Sequence, residues 1–387
     1  MKILIFGVNI RKALNNEYVG GAEKQTALLA KLFVSLKYDV CVLEPFPGKK
    51  ETEKINGIKV VQAWDSLKGI PSIRAFFYRM PSLYKNIKHE NPDIIYTRGA
   101  GIYNALIAFL FCKGTARFIW GLAHDHDLQS KIRKINNATL YSIITNHLMF
   151  KLSTKILAHY ANAIICQTKE QENFLKIAKK ANNVYRIPNI CEALSVKECW
   201  VDTKKDCLWV GKFSGTKGEE DFLFLAEKMP DMNFIAVGHV TADFEKTTVY
   251  DKIINQPNIK CVGRLKYEEL IPLYGQVLLL VHTAPSEGFS NVFLEAWSSG
   301  LPVVSLSVDP NGLLQTAKLG RFANGDIIKM KNQIEELAFN SSLRRELSCN
   351  AIDYVEKNHS NTVIGKQIDN VFMRLKLKTK IVKLNVY

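Results

Sequence analysis

The sequence has no Cys-x2-Cys pair and no apolar run long enough to cross a bilayer. Its eight cysteines (41, 112, 166, 191, 199, 207, 261, 349) stand apart, several inside strand-like runs such as Ile164-Ile165-Cys166. That spacing argues against a disulfide framework or a zinc site and reads as buried thiols in a reducing compartment. The longest uncharged apolar stretch, Ile102 to Cys112, falls well short of the roughly 20 residues a spanning helix needs. Met1 to Gly7 ends too abruptly for a signal h-region and reads as a first strand. No Gly-x-Gly-x-x-Gly follows a candidate strand and no Gly-x4-Gly-Lys-Ser/Thr occurs, so dinucleotide-fingerprint and P-loop chemistry drop out. Acidic residues are in deficit: 52 basic against 37 acidic residues give a net charge of +15. Such a balance asks for an anionic partner. With no helix-turn-helix, finger or aromatic single-strand platform, and with the basic residues spread out, nucleic acid is set aside in favour of nucleotide phosphates or an anionic membrane surface. The expected location is the cytoplasm or the inner face of the cytoplasmic membrane.

What is present is an alternation of strands and helices over 387 residues, too long for one ordinary core. Strands are predicted at Lys2–Gly7, Asp39–Leu43, Ile58–Trp64, Asp93–Tyr96, Arg117–Trp120, Ala163–Cys166 and Val184–Ile187. Helices fall between them, at Ala22–Leu36, Ile73–His89, Tyr103–Phe111, Ala138–Tyr160 and Lys169–Lys180. Alternation of this kind predicts a parallel sheet covered by helices on both faces. Residues 190–206 show no period and read as a linker between a first domain, 1–189, and a second, 207–359. A last helix from Ser360 to Leu375 leads into Arg374–Lys383, where basic and apolar residues alternate as in an edge strand, a membrane-surface segment or a solvated tail. The Ile73–His89 helix joins Arg74, Arg79, Lys85 and Lys88 to Phe76, Phe77 and Tyr84, a mixture that suits a membrane interface as well as an ordinary sheet-covering helix; Pro81 interrupts it.

The chemistry concentrates in Pro285–Val304. An apolar strand, Val277–Val281, empties into a loop carrying Glu287, and a helix follows whose first amides Ser290 or Asn291 can cap. Ser298-Ser299-Gly300 and Pro302 stop that helix after about nine residues. Glu287 on the loop and Glu295 in the second turn therefore flank the positive end of a helix dipole. Two acceptor-only carboxylates beside an anion site suit a ligand with hydroxyls at both ends and phosphates in the middle, as in a nucleotide sugar. Lys212 and Lys217 stand on a glycine-punctuated turn, Gly211–Gly218, just before a second helix, Glu219–Lys228. Gly20 and Gly21 likewise precede a helix and let a phosphate approach backbone amides. The cluster Gly121-Leu-Ala-His-Asp-His-Asp127 ends a strand, but adjacent side chains seldom converge on one ion, so no metal is expected there.

Pro285–Val304 resembles the Glu-x7-Glu signature of retaining glycosyltransferases of family 4, GT-B fold, of the bacterial surface-polysaccharide type. Gly20-Gly21-Ala22-Glu23 resembles the family's Gly-Gly-x-Glu loop, and Ile187-Pro188-Asn189 the segment that closes its first domain. Gly211–Gly218 resembles its Gly-Arg-x(n)-Lys-Gly motif, with Lys212 where arginine is usual, so bidentate phosphate binding is lost at that point. The resemblance implies an α/β protein of two Rossmann-like domains whose parallel sheets face across a cleft. Residues 1–189 would be the acceptor side, with a crossover helix within 360–387 packed back on it, and 207–359 the donor side. The implied reaction moves a hexose or N-acetylhexosamine from a nucleotide-diphosphate sugar, UDP-linked by family frequency, to a hydroxyl of a glycan or lipid-linked acceptor. Neither metal nor other cofactor is implied, because the task is to stabilise charge on the leaving phosphate. By the same resemblance Glu295 anchors the ribose, Glu287 with Gly288, Phe289, Ser290 and Asn291 lines the donor, and Lys212, Lys217, Gly20 and Gly21 face the diphosphate. Gly263 and Arg264 cradle the base, and His124 or His126, with His124 favoured, stands near the acceptor. Glu287, His124 and Lys217 are the expected catalytic residues. A GT-B nucleotide-sugar epimerase and a non-catalytic nucleotide-sugar binder are the competing readings.

Overall fold

The computed structural model describes residues 1–17, 19–48, 52–70, 75–111, 114–128, 140–192 and 206–384, without the side chains of 76, 126, 140–146 and 377–384. Most of the expected linker, Arg74, Cys112, Cys199 and the side chains of Phe76 and His126 lie outside the described residues. The chain forms two compact units, Met1–Ile190 with Thr362–Tyr387, and Cys191–Asn361.

In the first unit the elements run β1 (Lys2–Phe6), α1 (Ile10–Leu14), α2 (Gly21–Ser35), β2 (Asp39–Phe46), β3 (Thr52–Ile55), β4 (Ile58–Asp65) and α3 (Met80–Glu90). They continue with β5 (Ile94–Arg98), α4 (Ile102–Phe111), β6 (Arg117–Gly121), α5 (Leu140–Tyr160), β7 (Ala163–Cys166), α6 (Lys169–Ala178) and β8 (Val184–Arg186). The sheet order is β3-β4-β2-β1-β5-β6-β7-β8, and every pairing is parallel except β3 with β4. Ile3, Leu4 and Ile5 are all buried, as a strand covered by helices on both faces demands. The antiparallel edge strand departs from the wholly parallel sheet expected. Its cause is local: Asn56 (φ 50°) and Gly57 (φ 83°) take the two left-handed positions of a tight hairpin turn.

Two other expectations need correction. The helix predicted from Ile73 starts at Met80, after a π-helical turn over Ala75–Arg79, because Pro81 fits only the first turn of an α-helix. Its Leu83 and Ile87 are buried, while its Tyr84 and, on the preceding turn, Phe77 are exposed. The alternating tail is not a strand: a single helix, α14, runs from Asn361 to Leu384. Ile364, Ile368, Val371, Phe372 and Leu375 of that helix are buried with Leu32 and Phe33 of α2, and the Tyr38 hydroxyl donates to Asp369. Each such apolar side chain contributes roughly 1.5–3 kcal/mol by leaving water. Among the described residues no helix is long and apolar enough to cross a membrane.

The second unit comprises β9 (Asp206–Val210), α7 (Glu219–Lys228), β10 (Asn233–Val237), α8 (Thr248–Asn255), β11 (Ile259–Gly263), α9 (Tyr267–Tyr274) and β12 (Leu279–His282). After these come α10 (Asn291–Ser298), β13 (Val303–Ser305), α11 (Leu313–Thr316), β14 (Gly320–Phe322), α12 (Ile327–Phe339) and α13 (Ser341–His359). All pairs are parallel in the order β11-β10-β9-β12-β13-β14. Both units are thus Rossmann-like α/β domains. Burial pushes the Cys41 and Cys166 thiols up to about 12, so neither is a thiolate nucleophile at neutral pH.

Candidate active site

In the second unit the chain steps from β9 to β10 to β11 on one side, then returns to lay β12 on the other flank of β9. The loops after β9 and β12 therefore diverge at a topological switch point, where open α/β sheets bind ligands. They are Gly211–Gly218 and Thr283–Ser290, the two stretches singled out in the sequence.

The first loop is fastened from several directions. The Gly211 amide donates to the Val237 carbonyl at 3.0 Å, and the Phe213 amide to that of His239 at 2.9 Å. Glu219, the first residue of α7 and 2 % exposed, accepts the amides of Ser214 (2.7 Å), Gly215 (2.9 Å) and Lys217 (2.8 Å). Gly218 caps α7 at φ 70°, and a Cβ there would lie 2.1 Å from the Thr283 carbonyl oxygen. The Thr283 hydroxyl donates to the Lys217 carbonyl at 2.9 Å and accepts from Trp209 Nε1 at 3.0 Å. With its backbone held on both sides, Lys217 reaches across the switch point, and its Nζ pairs with Glu287 Oε1, 70 residues later. Below the pair, at the end of β12, His282 is buried against the Phe293 ring at 4.6 Å. Burial lowers its pKa to about 4, with Glu287 pulling up and Lys217 pushing down, so the imidazole is neutral at neutral pH.

Helix α10 begins where expected, but its cap differs. Ser290 occupies the N-cap position in extended backbone without a side-chain cap hydrogen bond, and no acidic residue lies in the first turn. By contrast α7 opens with Glu219, Glu220 and Asp221, which already balance its dipole. Of the two helix starts, that of α10 keeps the more positive end. Its stop is as predicted: Gly300 at φ 70°, with the Ser298 and Ser299 hydroxyls donating to the Glu295 carbonyl, each at 3.0 Å. The Glu295 carboxylate is 8 % exposed and accepts from the Tyr274 hydroxyl at 2.8 Å. Burial, then Glu295 itself, holds the Tyr274 pKa far above its ordinary value, so the phenol stays a donor. The Phe289 ring lies in the core, 5.2 Å from His359 and 6.3 Å from Trp297, so what Phe289 can offer a ligand is its backbone. Gly288 and Ser290 are also buried, and Asn291 is half-buried.

The remaining predicted residues of this unit sit at neighbouring strand ends. Lys212 is exposed after β9. Gly263 ends β11 at φ 73°, its carbonyl accepting from the Gly238 amide at 2.9 Å, and Arg264 follows, exposed. Glu219 and Thr283 were not singled out in the sequence, and they shape the loop that bears Lys217. An acid at a helix start and a threonine after an apolar strand are too common to stand out.

In the first unit, Gly20 and Gly21 begin α2. Gly20 is not left-handed; the Glu23 carboxylate stands over it, with Oε2 2.4 Å from where a Cβ would be. His124, after β6, is held by Asp127, whose carboxylate accepts the amides of Ala100 (3.0 Å), Ala123 (2.6 Å) and His124 (3.0 Å). Asp125 accepts from Gln171 Nε2 at 2.7 Å. Both carboxylates of the acidic and histidine-rich cluster thus serve the loop. A cavity of about 410 Å³ lies at the carboxyl ends of β1 and β5, lined among others by Gly7, Glu23, Trp64, Arg79, Arg98 and Tyr103. β1 is flanked by β2 and β5, so this is the switch point of the first sheet.

The family model for Glycosyltransferase Family 4 matches residues 19–191, and that for Glycosyl transferases group 1 matches residues 192–354. The capsular polysaccharide biosynthesis glycosyltransferase CapM of Staphylococcus aureus is 23 % identical over 173 residues, 42 % of this chain and 44 % of CapM. The match thus spans less than half of that relative. Sucrose-phosphate synthase from Thermosynechococcus elongatus superposes with a TM-score of 0.79 at 16 % identity, over 98 % of this chain and 100 % of that one. A TarM mutant of S. aureus, in complex with fondaparinux, α-GlcNAc-glycerol and UDP, superposes with a TM-score of 0.58 at 18 % identity, over 72 % of this chain and 55 % of that one. The two structures share the fold with this chain, and the two family matches adjoin at residues 191 and 192. The chain thus has the GT-B fold, its first part matching the Glycosyltransferase Family 4 model and its second the Glycosyl transferases group 1 model.

Proposed function

We propose that the chain transfers a hexose or N-acetylhexosamine, with retention, from a UDP-linked donor to a hydroxyl of a glycan or lipid-linked acceptor, without a metal ion. The observation that carries this reading is the Lys217–Glu287 pair at the switch point, beside a helix start that has neither side-chain cap nor first-turn acid. Negative charge grows on the leaving diphosphate as the glycosyl bond breaks, and Lys217, Lys212 and the α10 dipole supply the opposing charge there. Glu287, accepting from Lys217 in the free protein, turns to hydroxyls of the transferred sugar, and Glu295 to the ribose. In this reading His124 is an acceptor-side group and the Gly20-Gly21 amides are phosphate-facing ones, and Gly263-Arg264 meets the base. Support for the uridine donor comes from the TarM complex, which contains UDP, and for a polysaccharide setting from CapM.

The deciding experiment is a thermal-shift screen with UDP, GDP, ADP and their sugars, followed by product analysis. UDP and a UDP-sugar should raise the melting temperature, since a ligand that binds only the folded state stabilises it. Free UDP should accumulate only when an acceptor is added. No shift with any nucleotide would end the reading, and a UDP-sugar converted to its epimer without acceptor would favour the isomerase.

A membrane-surface role has its own observation. Phe77, Phe109, Leu148 and Leu152 are exposed around α3, α4 and α5, which lie together through the Tyr84–Phe111 ring contact at 5.6 Å and the packing of α4 on α5. Lys85 and Lys88 are exposed on α3. Flotation with vesicles containing anionic lipid should be strong at low salt and fall at high salt, whereas equal binding to neutral vesicles would count against an electrostatic component.

A further inference from the structure

The cavity at the ends of β1 and β5 holds two arginines that the proposed donor chemistry does not use. Arg79 Nη1 donates to the Tyr103 hydroxyl at 3.2 Å, and its guanidinium carbon lies 5.7 Å from the Trp64 ring centre. That leaves the edge formed by Nε and Nη2, the one that grips a carboxylate or phosphate with two parallel hydrogen bonds. Arg98 Nη2 donates to Asn189 Oδ1 at 2.7 Å. The Nε atoms of both arginines are buried and without a hydrogen-bond partner, and among the described residues neither guanidinium pairs with a carboxylate. Both arginines line the cavity, so a charge that no carboxylate of the described residues pairs with is left there for a ligand to meet. Glu23 also lines the space, so the cavity's own charges sum to one positive charge across these three side chains. Trp64 and Tyr103, with ring centres 5.0 Å apart, add an aromatic wall of the kind that a sugar face packs against.

We infer that this cavity binds the acceptor, and that the acceptor carries an oxyanion, a carboxylate or a phosphate, which Arg79 and Arg98 hold beside its sugar. The assignment to the acceptor rests on the transferase reading above; the oxyanion specificity rests on the arginines alone. Asn189 and Tyr103 aim the two guanidinium groups, and Asp127, by fixing the Ala100 amide, holds the loop that closes the cavity after β5.

The test is calorimetric titration of the full chain with glucuronic acid, glucose 1-phosphate and neutral glucose, and in a separate arm with UDP. The anionic sugars should bind at least about tenfold more tightly than glucose, and Arg79→Gln or Arg98→Gln should each remove about tenfold of that affinity. UDP affinity should stay within about twofold. Arg79→Lys, which keeps the charge but not the fork, should fall between wild type and Arg79→Gln, and it decides the matter if circular dichroism shows a glutamine variant unfolded. The ratio of glucuronic acid to glucose 1-phosphate affinity identifies the oxyanion. Equal binding of glucose and the anionic sugars, unchanged anion affinity in the variants, or anion binding abolished by saturating UDP would each overturn the inference. Anion binding that follows the arginines in a protein indifferent to every nucleotide would keep the oxyanion site and remove the transferase reading, so the two can fail separately.

Discussion

Under the proposed transferase reading, Lys217→Ala should lower the turnover number for sugar transfer by about 10²- to 10³-fold, with a much smaller change in the donor KM. The reason is where the charge appears. In the ground state the ammonium already has a partner, Glu287, so what it adds by binding donor is partly offset by the pair it gives up. In the transition state the leaving phosphate gains charge, and only then does Lys217 gain more than it loses. The cost to stability should be small. The two side chains are 31 % and 15 % exposed, and a half-buried pair still in touch with water contributes on the order of 1 kcal/mol. Melting temperatures of the variants should stay within about 4 °C of wild type. Glu287→Ala should lose transfer to a similar degree. The double variant separates chemistry from architecture: if the pair matters only as a structural tie, removing both partners restores much of what one removal lost. Steady-state release of nucleoside diphosphate from the three variants is the measurement. A Lys217→Ala rate within about threefold of wild type would exclude this role, and the same outcome for Glu287→Ala would remove the sugar-holding role.

Gly238→Ala should destabilise the second unit strongly, by a route that has nothing to do with charge. A Cβ at Gly238 would fall 1.6 Å from the Gly211 carbonyl oxygen, a contact that no rotamer relieves because both atoms are fixed by the backbone. Nor can the strands drift apart freely. The Gly211 amide is bonded to Val237, and the Gly238 amide to Gly263, so β9, β10 and β11 are laced together at the point of the clash. The expected loss is about 3 kcal/mol or more, and the melting temperature of the second unit should fall by roughly 10 °C. Gly263→Ala is the control. Gly263 is left-handed at φ 73°, yet nothing lies within 4 Å of a Cβ there, so it should cost only about 1–2 kcal/mol. Chemical denaturation of both variants, followed by tryptophan fluorescence, gives the comparison. Equal destabilisation would mean that the crowding at Gly238 relaxes more easily than the hydrogen bonds allow.

Much of this architecture is legible in the chain because parallel sheets write themselves plainly. Runs such as Ile3-Leu4-Ile5 and Leu278-Leu279-Leu280 are apolar throughout, since helices cover both faces, and glycine or proline marks where many of the elements stop. The edge strand β3 escaped notice for the opposite reason: Thr52-Glu-Lys-Ile55 has the polarity of a loop, and only the Asn56-Gly57 turn betrays a hairpin. In Arg374–Lys383 an alternation of period two coincides with a continuing helix, because extending a helix already formed from Asn361 adds a hydrogen bond per residue without a new nucleus. At the site, spacing located Glu287, Glu295 and Lys217 but not their relations. That Lys217 meets Glu287, that Glu219 gathers three amides of its loop, and that Phe289 turns inward are outcomes of tertiary packing, and residue type alone carries no trace of them. The cavity arginines show the same limit. Arg79 reads as part of a basic helical face until Trp64 and Tyr103 are seen beside it.

The placement of α14 bears on the order in which the protein matures. Its buried residues, from Ile364 to Leu375, complete the core of the first unit, yet a ribosome makes them after the whole of the second. The second unit can close as soon as its own continuous segment, Cys191–Asn361, has emerged. The first must wait with the Leu32 and Phe33 side of α2 uncovered, since its last contacts span more than three hundred residues. The half of the molecule that is synthesised first is therefore the half that finishes folding last, and a nascent chain spends most of its synthesis with an apolar groove on α2 open to chaperones.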